Sequence, residues 1–338
     1  MEKWYNRIAE NGDIVVSTRI RLARNLSSFP FEGQMTPSQQ AELNTLVKAA
    51  LQSEESVHTK WNFLSIQSLT SMERISLAER GLISRRFLEQ PKNRMLALSE
   101  DEGLSIMVNE EDHIRLQSIV GGMDLSGAYA ACDRLDDILD GKLIYAFDDR
   151  LGYLTASPTS LGTGLRASVM LHLPALERSN VIPQLMKTVG RLGLTIRGAY
   201  GEGTAIVGAT YEMSNQVTMG LSEETAIRNL ENVVQQVIAS ERALRKDVLQ
   251  NNIEIIDEIC RSYGVLKYAR LLSSNEFYTH ISNVRFGISE RILDSVTLET
   301  VNALLNRVGA ATVCAEENQE LNPRERDLYR AKIVREAL

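Results

Sequence analysis

The stretch Gly152–Pro174, GYLTASPTSLGTGLRASVMLHLP, decides the fold. Tyr153–Ala156 is an extended apolar run, and Ser157–Gly164 is a loop of mostly small and polar residues. Leu165–Leu173 then alternates. Leu165, Ala167, Val169, Leu171 and Leu173 share one face, while Arg166, Ser168, Met170 and His172 point the other way. A small-residue loop therefore lies between two strands, with Arg166 leaving the second strand beside it. Backbone N–H groups next to a guanidinium suit a polyphosphate. An ordinary hairpin with a solvated arginine reads the same way.

Upstream, Asp13–Leu26 (DIVVSTRIRLARNL) starts a strand at Ile14–Val16 and places Arg19 and Arg21 on one face. Two cations on one face repel unless an anion lies between them, though charged edge strands also serve against aggregation. Thr36–Pro37–Ser38–Gln39 is a helix start with a capping box, and Leu43, Leu46, Val47, Ala50 and Leu51 form that helix's core face. A second helix is expected over Leu69–Arg80, ended by Gly81. Leu96–Val108 reads as a strand pair around Glu100–Gly103. The next segment, NEEDHIRLQ (Asn109–Gln117), is either a solvated acidic turn or a working one. In the second case one carboxylate anchors a guanidinium or takes a proton, and Arg115 faces phosphate. His113 has no second histidine near it in sequence and reads as structural.

Downstream, a helix is expected over Leu125–Leu139 and a strand over Leu143–Phe147. Pro174–Leu192 is helical, with a break marked by Pro183. Two extended runs within Leu194–Gly220 flank a glycine-rich loop, Gly198–Gly203, with Arg197 at its base and Glu202 inside it. Ser222 caps a long helix through about Lys246. From Asn251 the patterns are helical, with Gly264, Gly287 and Gly309 expected between helices, so a second, all-helical domain is expected there. Its last helix carries Arg326, Asp327 and Arg330 on one flank.

The totals narrow the function. The 338 residues carry a net charge of −7, which argues against a general nucleic-acid binder. Cys132, Cys260 and Cys314 are far apart and form no CxxC pair, which argues against a zinc site or disulfide framework and for a reducing compartment. The N-terminal MEKWYNRIAENGD lacks the apolar core of a signal peptide, and no run approaches the ~20 apolar residues of a membrane span. A cytosolic protein is expected.

Five arginines recur at strand ends near polar or glycine-rich loops: Arg19, Arg21, Arg115, Arg166 and Arg197. Gathered on one sheet face they would call for a polyanion, such as a nucleoside triphosphate with magnesium. There is no GxxxxGK[ST], HRD or DFG, so neither common nucleotide fold applies. The carboxylates Glu111 and Glu202 make sense if the acceptor is a planar cation. A carboxylate grips a guanidinium bidentately and can take the proton as a nitrogen attacks.

Four motifs in order carry a resemblance: STRIRLARN (Ser17–Asn25), VNEEDHIR (Val108–Arg115), PTSLGTGLRASV (Pro158–Val169) and IRGAYGEGT (Ile196–Thr204). By them the chain resembles the phosphagen (ATP:guanido phosphotransferase) kinases, and among these the bacterial protein arginine kinases. The resemblance implies an α+β fold, an antiparallel β-sheet flanked by helices and glutamine-synthetase-like, over residues 12–246. A smaller all-helical domain over 251–338 would follow. It implies ATP with Mg2+, the ion held by phosphates and water without protein ligands. The ATP residues would be Ser17, Thr18, Arg19, Ile20, Arg21, Arg115, Arg166, Ala167, Ser168, Val169, Met170, Arg197, Gly198, Ala199, Tyr200, Gly201 and Glu202. Glu111 and Glu202 would be the catalytic, substrate-holding carboxylates. Ser157 stands in the substrate loop where the family usually has cysteine, so a thiolate charge is absent. A histidine expected near Gly81 is missing.

RDLYRA (Arg326–Ala331) resembles the RDxxRA motif of an allosteric phosphoarginine pocket, with Arg326, Asp327, Arg330 and Ala331 matching it. The chain is also read as starting directly at the catalytic domain, without the helical domain that encloses small guanidines. That favours protein-borne arginine as acceptor. The resemblance further implies stress-response partners: a heat-shock repressor, a zinc-finger activator protein and a Clp ATPase/protease that degrades marked proteins. A homo-oligomer is compatible with it; membrane and direct nucleic-acid binding are not expected. Two alternatives stand beside it, a free-guanidine kinase and a weakly active phosphoarginine-binding adaptor.

Overall fold

A computed structural model of the chain describes residues 2–52, 59–199, 207–250 and 252–338. The sheet is built outward from β1 (Val15–Arg24), an alternating strand with its apolar residues turned to one side. After α1 (Pro37–Leu51), which opens on the expected Thr36/Gln39 capping box, come β2 (Trp61–Ser65), α2 (Ser71–Glu79) and α3 (Arg86–Glu89). Then follow β3 (Met95–Ser99), β4 (Leu104–Val108), β5 (Ile114–Gly121) and α4 (Leu125–Asp140). A small hairpin, β6 (Phe147–Asp148) and β7 (Gly152–Tyr153), leads into β8 (Leu165–His172). Next are α5 (Pro174–Arg178), α6 (Ile182–Arg191), β9 (Leu194–Gly198), β10 (Thr210–Asn215) and the long α7 (Glu223–Leu249). The remaining elements are helical: α8 (Ile253–Tyr268), α9 (Ser274–Ser289), α10 (Leu298–Leu305), α11 (Ala310–Glu316) and α12 (Pro323–Ala337).

Eight strands form one antiparallel sheet in the order β2-β3-β4-β5-β1-β8-β10-β9. Side chains alternate across it, so the two faces differ in chemistry. Ile20, Leu22, Leu116, Ala167, Val169, Leu171 and Met213 turn to the face that α1, α4 and α7 cover, and they form the main core. A smaller cluster around Leu77, Leu82, Phe87 and Met107 packs α2 and α3 near the β2–β4 edge of the sheet. A third cluster, with Leu266, Phe277, Val301 and Val334, belongs to α8–α12. α11 also packs on α2. There Glu79 accepts the Ala311 and Thr312 N–H groups at 3.0 and 2.9 Å, supplying partners for the first turn of α11.

Four expectations need correction. The strand expected over Leu143–Phe147 shrinks to β6, because Tyr145 leaves on an isolated bridge to Leu26 and Ile144 is exposed. The extended run Tyr153–Ala156 is strand only at Gly152–Tyr153. The helix expected from Leu69 starts at Ser71, where Thr70 caps it, after a 3-10 turn over Ile66–Ser68. Gly264 and Gly287 sit inside α8 and α9 rather than between helices. At Gly287 a side chain would strike Ile259 and Leu293, so glycine there lets α8 and α9 approach closely.

Candidate active site

Register brings the arginines together. Arg21 stands opposite Arg166 on β8 and Gln117 on β5, Ala23 stands opposite Arg115, and Arg19 stands opposite Ser168. On β10, Glu212 pairs with Met170 of β8 and Arg197 of β9. Cα partners in an antiparallel pair share a face, so Arg19, Arg21, Arg115, Arg166 and Arg197 all lie on the side opposite the main core. Ser17, Ser168 and Met170 lie on this side too.

The side chains of Thr18, Ile20, Ala167 and Val169 do not. They are buried on the helix-covered face, and Thr18 donates there to the Gly122 carbonyl at 2.7 Å. Alternation puts these four side chains one position out of phase with the arginines. Gly198 and Ala199 end β9, where the Ala199 N–H donates to Thr210. Tyr200, Gly201 and Glu202 lie outside the described residues.

Sequence reading missed the acids that hold this face. Glu212 Oε2 accepts from Arg197 Nε and Nη2 at 3.2 and 2.9 Å, and its other oxygen lies 3.5 Å from Arg21 Nη2. Burial alone would raise Glu212, but Arg21, Arg19 and Arg197 overcome it and hold its pKa at about 2. Burial, with Arg19 next, lowers Arg21 to about 9 against the pull of Glu212, which leaves it cationic at neutral pH. Glu110, buried at the head of the acidic turn, takes Arg115 Nη1 on both oxygens, at 2.8 and 2.6 Å. Even so, Arg21 Nε and Arg166 Nε are buried donors with no partner. An unmet buried donor is costly, and a phosphate oxygen would satisfy one. A Cβ on Gly81 would overlap Arg19 Nη2. Gly81, with φ at +71°, thus leaves Arg19 its space.

The acidic turn also makes contacts beyond the arginine face. Glu111 receives Arg86 Nη1 at 2.8 Å. Asp112, nearly fully buried, accepts from Asn25 Nδ2 and from the Ala156 N–H, both at 2.7 Å. His113 Nδ1 accepts the Leu26 N–H at 2.9 Å, which leaves Nε2 to donate to the Pro30 carbonyl at 2.8 Å. This is the structural histidine expected, and burial lowers its pKa. Ser157 Oγ is 2.8 Å from Thr159 Oγ1, a neutral pair. The far end of its loop is tied down by Arg24, which donates to the Thr163 carbonyl, stacks on the Tyr153 ring at 3.5 Å and pairs with Asp136 of α4. An acid in the middle of the strand run Thr210–Asn215 and an asparagine just after β1 were the available signals for Glu212 and Asn25.

In the helical part, Arg330 is buried. It donates to the Val308 and Leu272 carbonyls at 2.9 and 2.7 Å and to Asp327 at 2.7 Å. Arg326 and Asp327 are partly exposed beside it on α12, and Ala331 is in the core.

This geometry agrees with what the chain is similar to. Residues 42–244 match the family profile described as "ATP:guanido phosphotransferase, C-terminal catalytic domain". Residues 252–338 match "Protein-arginine kinase McsB C-terminal domain". The chain belongs to the protein-arginine kinase family. A protein-arginine kinase of Clostridium acetobutylicum is 39% identical over 339 residues, covering 100% of both chains. One from Brevibacillus brevis is 40% identical over 99% of this chain and 94% of its own. Among solved structures, the duplicated taurocyamine kinase from Schistosoma mansoni with bound transition-state-analogue components is 26% identical with a TM-score of 0.63, covering 78% of this chain and 41% of that one. A lombricine kinase, at 24% identity and a TM-score of 0.60 over 71% of this chain and 70% of its own, shares the fold. The fold class is that of the phosphagen kinases. β1, which supplies Arg19 and Arg21, precedes the matched segment and still occupies the sheet centre.

Proposed function

We propose that this chain transfers the γ-phosphoryl group of ATP to arginine side chains of proteins. The observation that carries this reading is the arginine face, with two buried Nε donors left unmet. Arg19, Arg21, Arg115, Arg166 and Arg197 would grip the phosphates. Phosphoryl transfer needs mainly positioning and charge neutralisation, which such a face supplies. Glu111, with Glu202, would hold the acceptor guanidinium. The acceptor nitrogen attacks the γ-phosphorus, the bond to the ADP oxygen breaks, and the proton from the nitrogen passes to Glu111. Mg2+ would be carried on the ATP phosphates, where it neutralises charge. Ser157 gives the acceptor a hydroxyl where a thiolate would add a charge, a weaker clamp.

The family supports further roles for the chain. It would act in the cytoplasm. Its marks would send proteins to a Clp protease and regulate the heat-shock response through a repressor, with a zinc-finger activator protein as partner. A homo-oligomer is compatible with these roles. Phosphoarginine would bind at Arg326 and Asp327 and activate the enzyme. The organisation would be a catalytic domain over 12–246 and a helical one over 251–338.

Incubation with γ-labelled ATP and either a denatured protein or free arginine tests the reading. Acid-labile label on the protein is expected; label on free arginine alone would make the chain a free-guanidine kinase. Phosphoarginine binding with no transfer at all would make it an adaptor.

A further inference from the structure

The carboxylate assigned to the acceptor already holds a guanidinium. Arg86, the first residue of α3, donates through Nη1 to Glu111 Oε1 at 2.8 Å. Its chemistry is that of the acceptor itself. The base of the side chain is fixed, because the buried Arg94 donates to the Arg86 carbonyl at 2.6 Å. The arm is not: the Arg86 side chain is 56% exposed, against 23% for Glu111. It lies along a polar cleft of about 200 Å3 lined also by Glu32, Glu89, Gln90, Arg94 and Glu110. A guanidinium leaving Glu111 can therefore swing toward Glu32 and Glu89 without losing carboxylate company.

We propose that Arg86 is a resident competitor for the acceptor carboxylate. Its guanidinium occupies Glu111 until an acceptor arginine displaces it into the cleft, and so it sets the acceptor KM. This rests on the reading of Glu111 as the acceptor carboxylate. The competition is mild. An exposed ion pair is worth about 0.2–1 kcal/mol, which is roughly a 1.4- to 5-fold effect on apparent affinity.

The test is steady-state transfer to a denatured protein by wild type and Arg86→Ala, an exposed position where the fold is not at stake. The acceptor KM should fall about 2- to 5-fold, with kcat and the KM for ATP unchanged. An unchanged or higher acceptor KM, or a lower kcat, overturns the proposal, since Arg86 would then be idle or would support Glu111. A second measurement separates competition from loss of a nearby positive charge. In a Glu111→Gln background, Arg86→Ala should leave the affinity for an arginine-containing peptide, titrated in the presence of ADP, unchanged; a gain there also overturns it. If Glu111→Gln alone transfers at the wild-type rate, the underlying reading of Glu111 fails. If that variant is inactive while Arg86→Ala has no effect on KM, only the competitor fails.

Discussion

Asp112 accepts the Ala156 N–H at 2.7 Å, which ties the acidic turn after β4 to the loop carrying Ser157. The same carboxylate oxygen takes Asn25 Nδ2, which ties both to the end of β1. Glu111 and Ser157 each neighbour one end of the Asp112–Ala156 bond in sequence. Asp112→Ala should cost about 1.5–3 kcal/mol of stability, the value of a hydrogen bond to a charged group, and lower kcat for protein phosphorylation. Asp112→Asn keeps an oxygen to accept from Ala156 and should recover most of the rate. Denaturant unfolding and steady-state kinetics on the pair check this. Equal losses in both variants would show that the charge, not the tie, matters.

Arg166 is half met, with Nη2 on Ser214 at 3.1 Å and Nε unpartnered. Its removal should lower kcat/KM for ATP by about 10²–10³-fold, as loss of an oxyanion donor does. Arg166→Lys should rescue little, because an ammonium lacks the planar fork. Kinetics with ATP as the varied substrate decide it.

Glu212 makes the face pH-dependent. Its folded pKa, about 2, lies below the ordinary 4.5. Its contribution is therefore full above about pH 4.5 and is lost as the pH falls through 2. Glu212→Gln should destabilise the nucleotide-free protein by roughly 3 kcal/mol at pH 7, and the difference from wild type should shrink below pH 4.5. Unfolding curves from pH 7 to 2.5 would show the convergence. A constant difference would mean the carboxylate charge is not responsible.

The RDLYRA arginines should separate by role. Arg330 is buried and spends its donors on two carbonyls and Asp327, so Arg330→Ala should destabilise the helical part by about 3–5 kcal/mol. Arg326→Ala should leave stability within about 0.5 kcal/mol and weaken stimulation by phosphoarginine. Melting curves and activation curves on both variants test the split; identical behaviour would contradict it.

Much of this site was legible in the chain because strands have a period of two. Arg19 and Arg21 had to share a face, and Arg166 had to oppose Ala167. What the sequence could not show was register. Nothing local says that Arg21 meets Arg166, or that Glu212, 191 residues away from Arg21, faces it. The same period turns the side chains of Ile20, Ala167 and Val169 to the core, since every second side chain of a motif strand faces away from the arginines. Short segments were the least legible. β6 and β7 are two residues each, set by a bridge and by glycine packing against Gly162 rather than by pattern. Asp112 was visible in NEEDH, but its partners Asn25 and Ala156 lie 87 and 44 residues away.

Glu111 is proposed to take the proton from an arginine whose phosphoryl donor is held by the arginine face. This is tested most directly by single-turnover transfer from ATP to a denatured protein in wild type and Glu111→Gln, with nucleotide affinity measured alongside. ATP affinity should be unchanged and transfer slowed by about 10²–10⁴-fold, the range for a lost general base. Transfer at a rate near wild type by Glu111→Gln would contradict it.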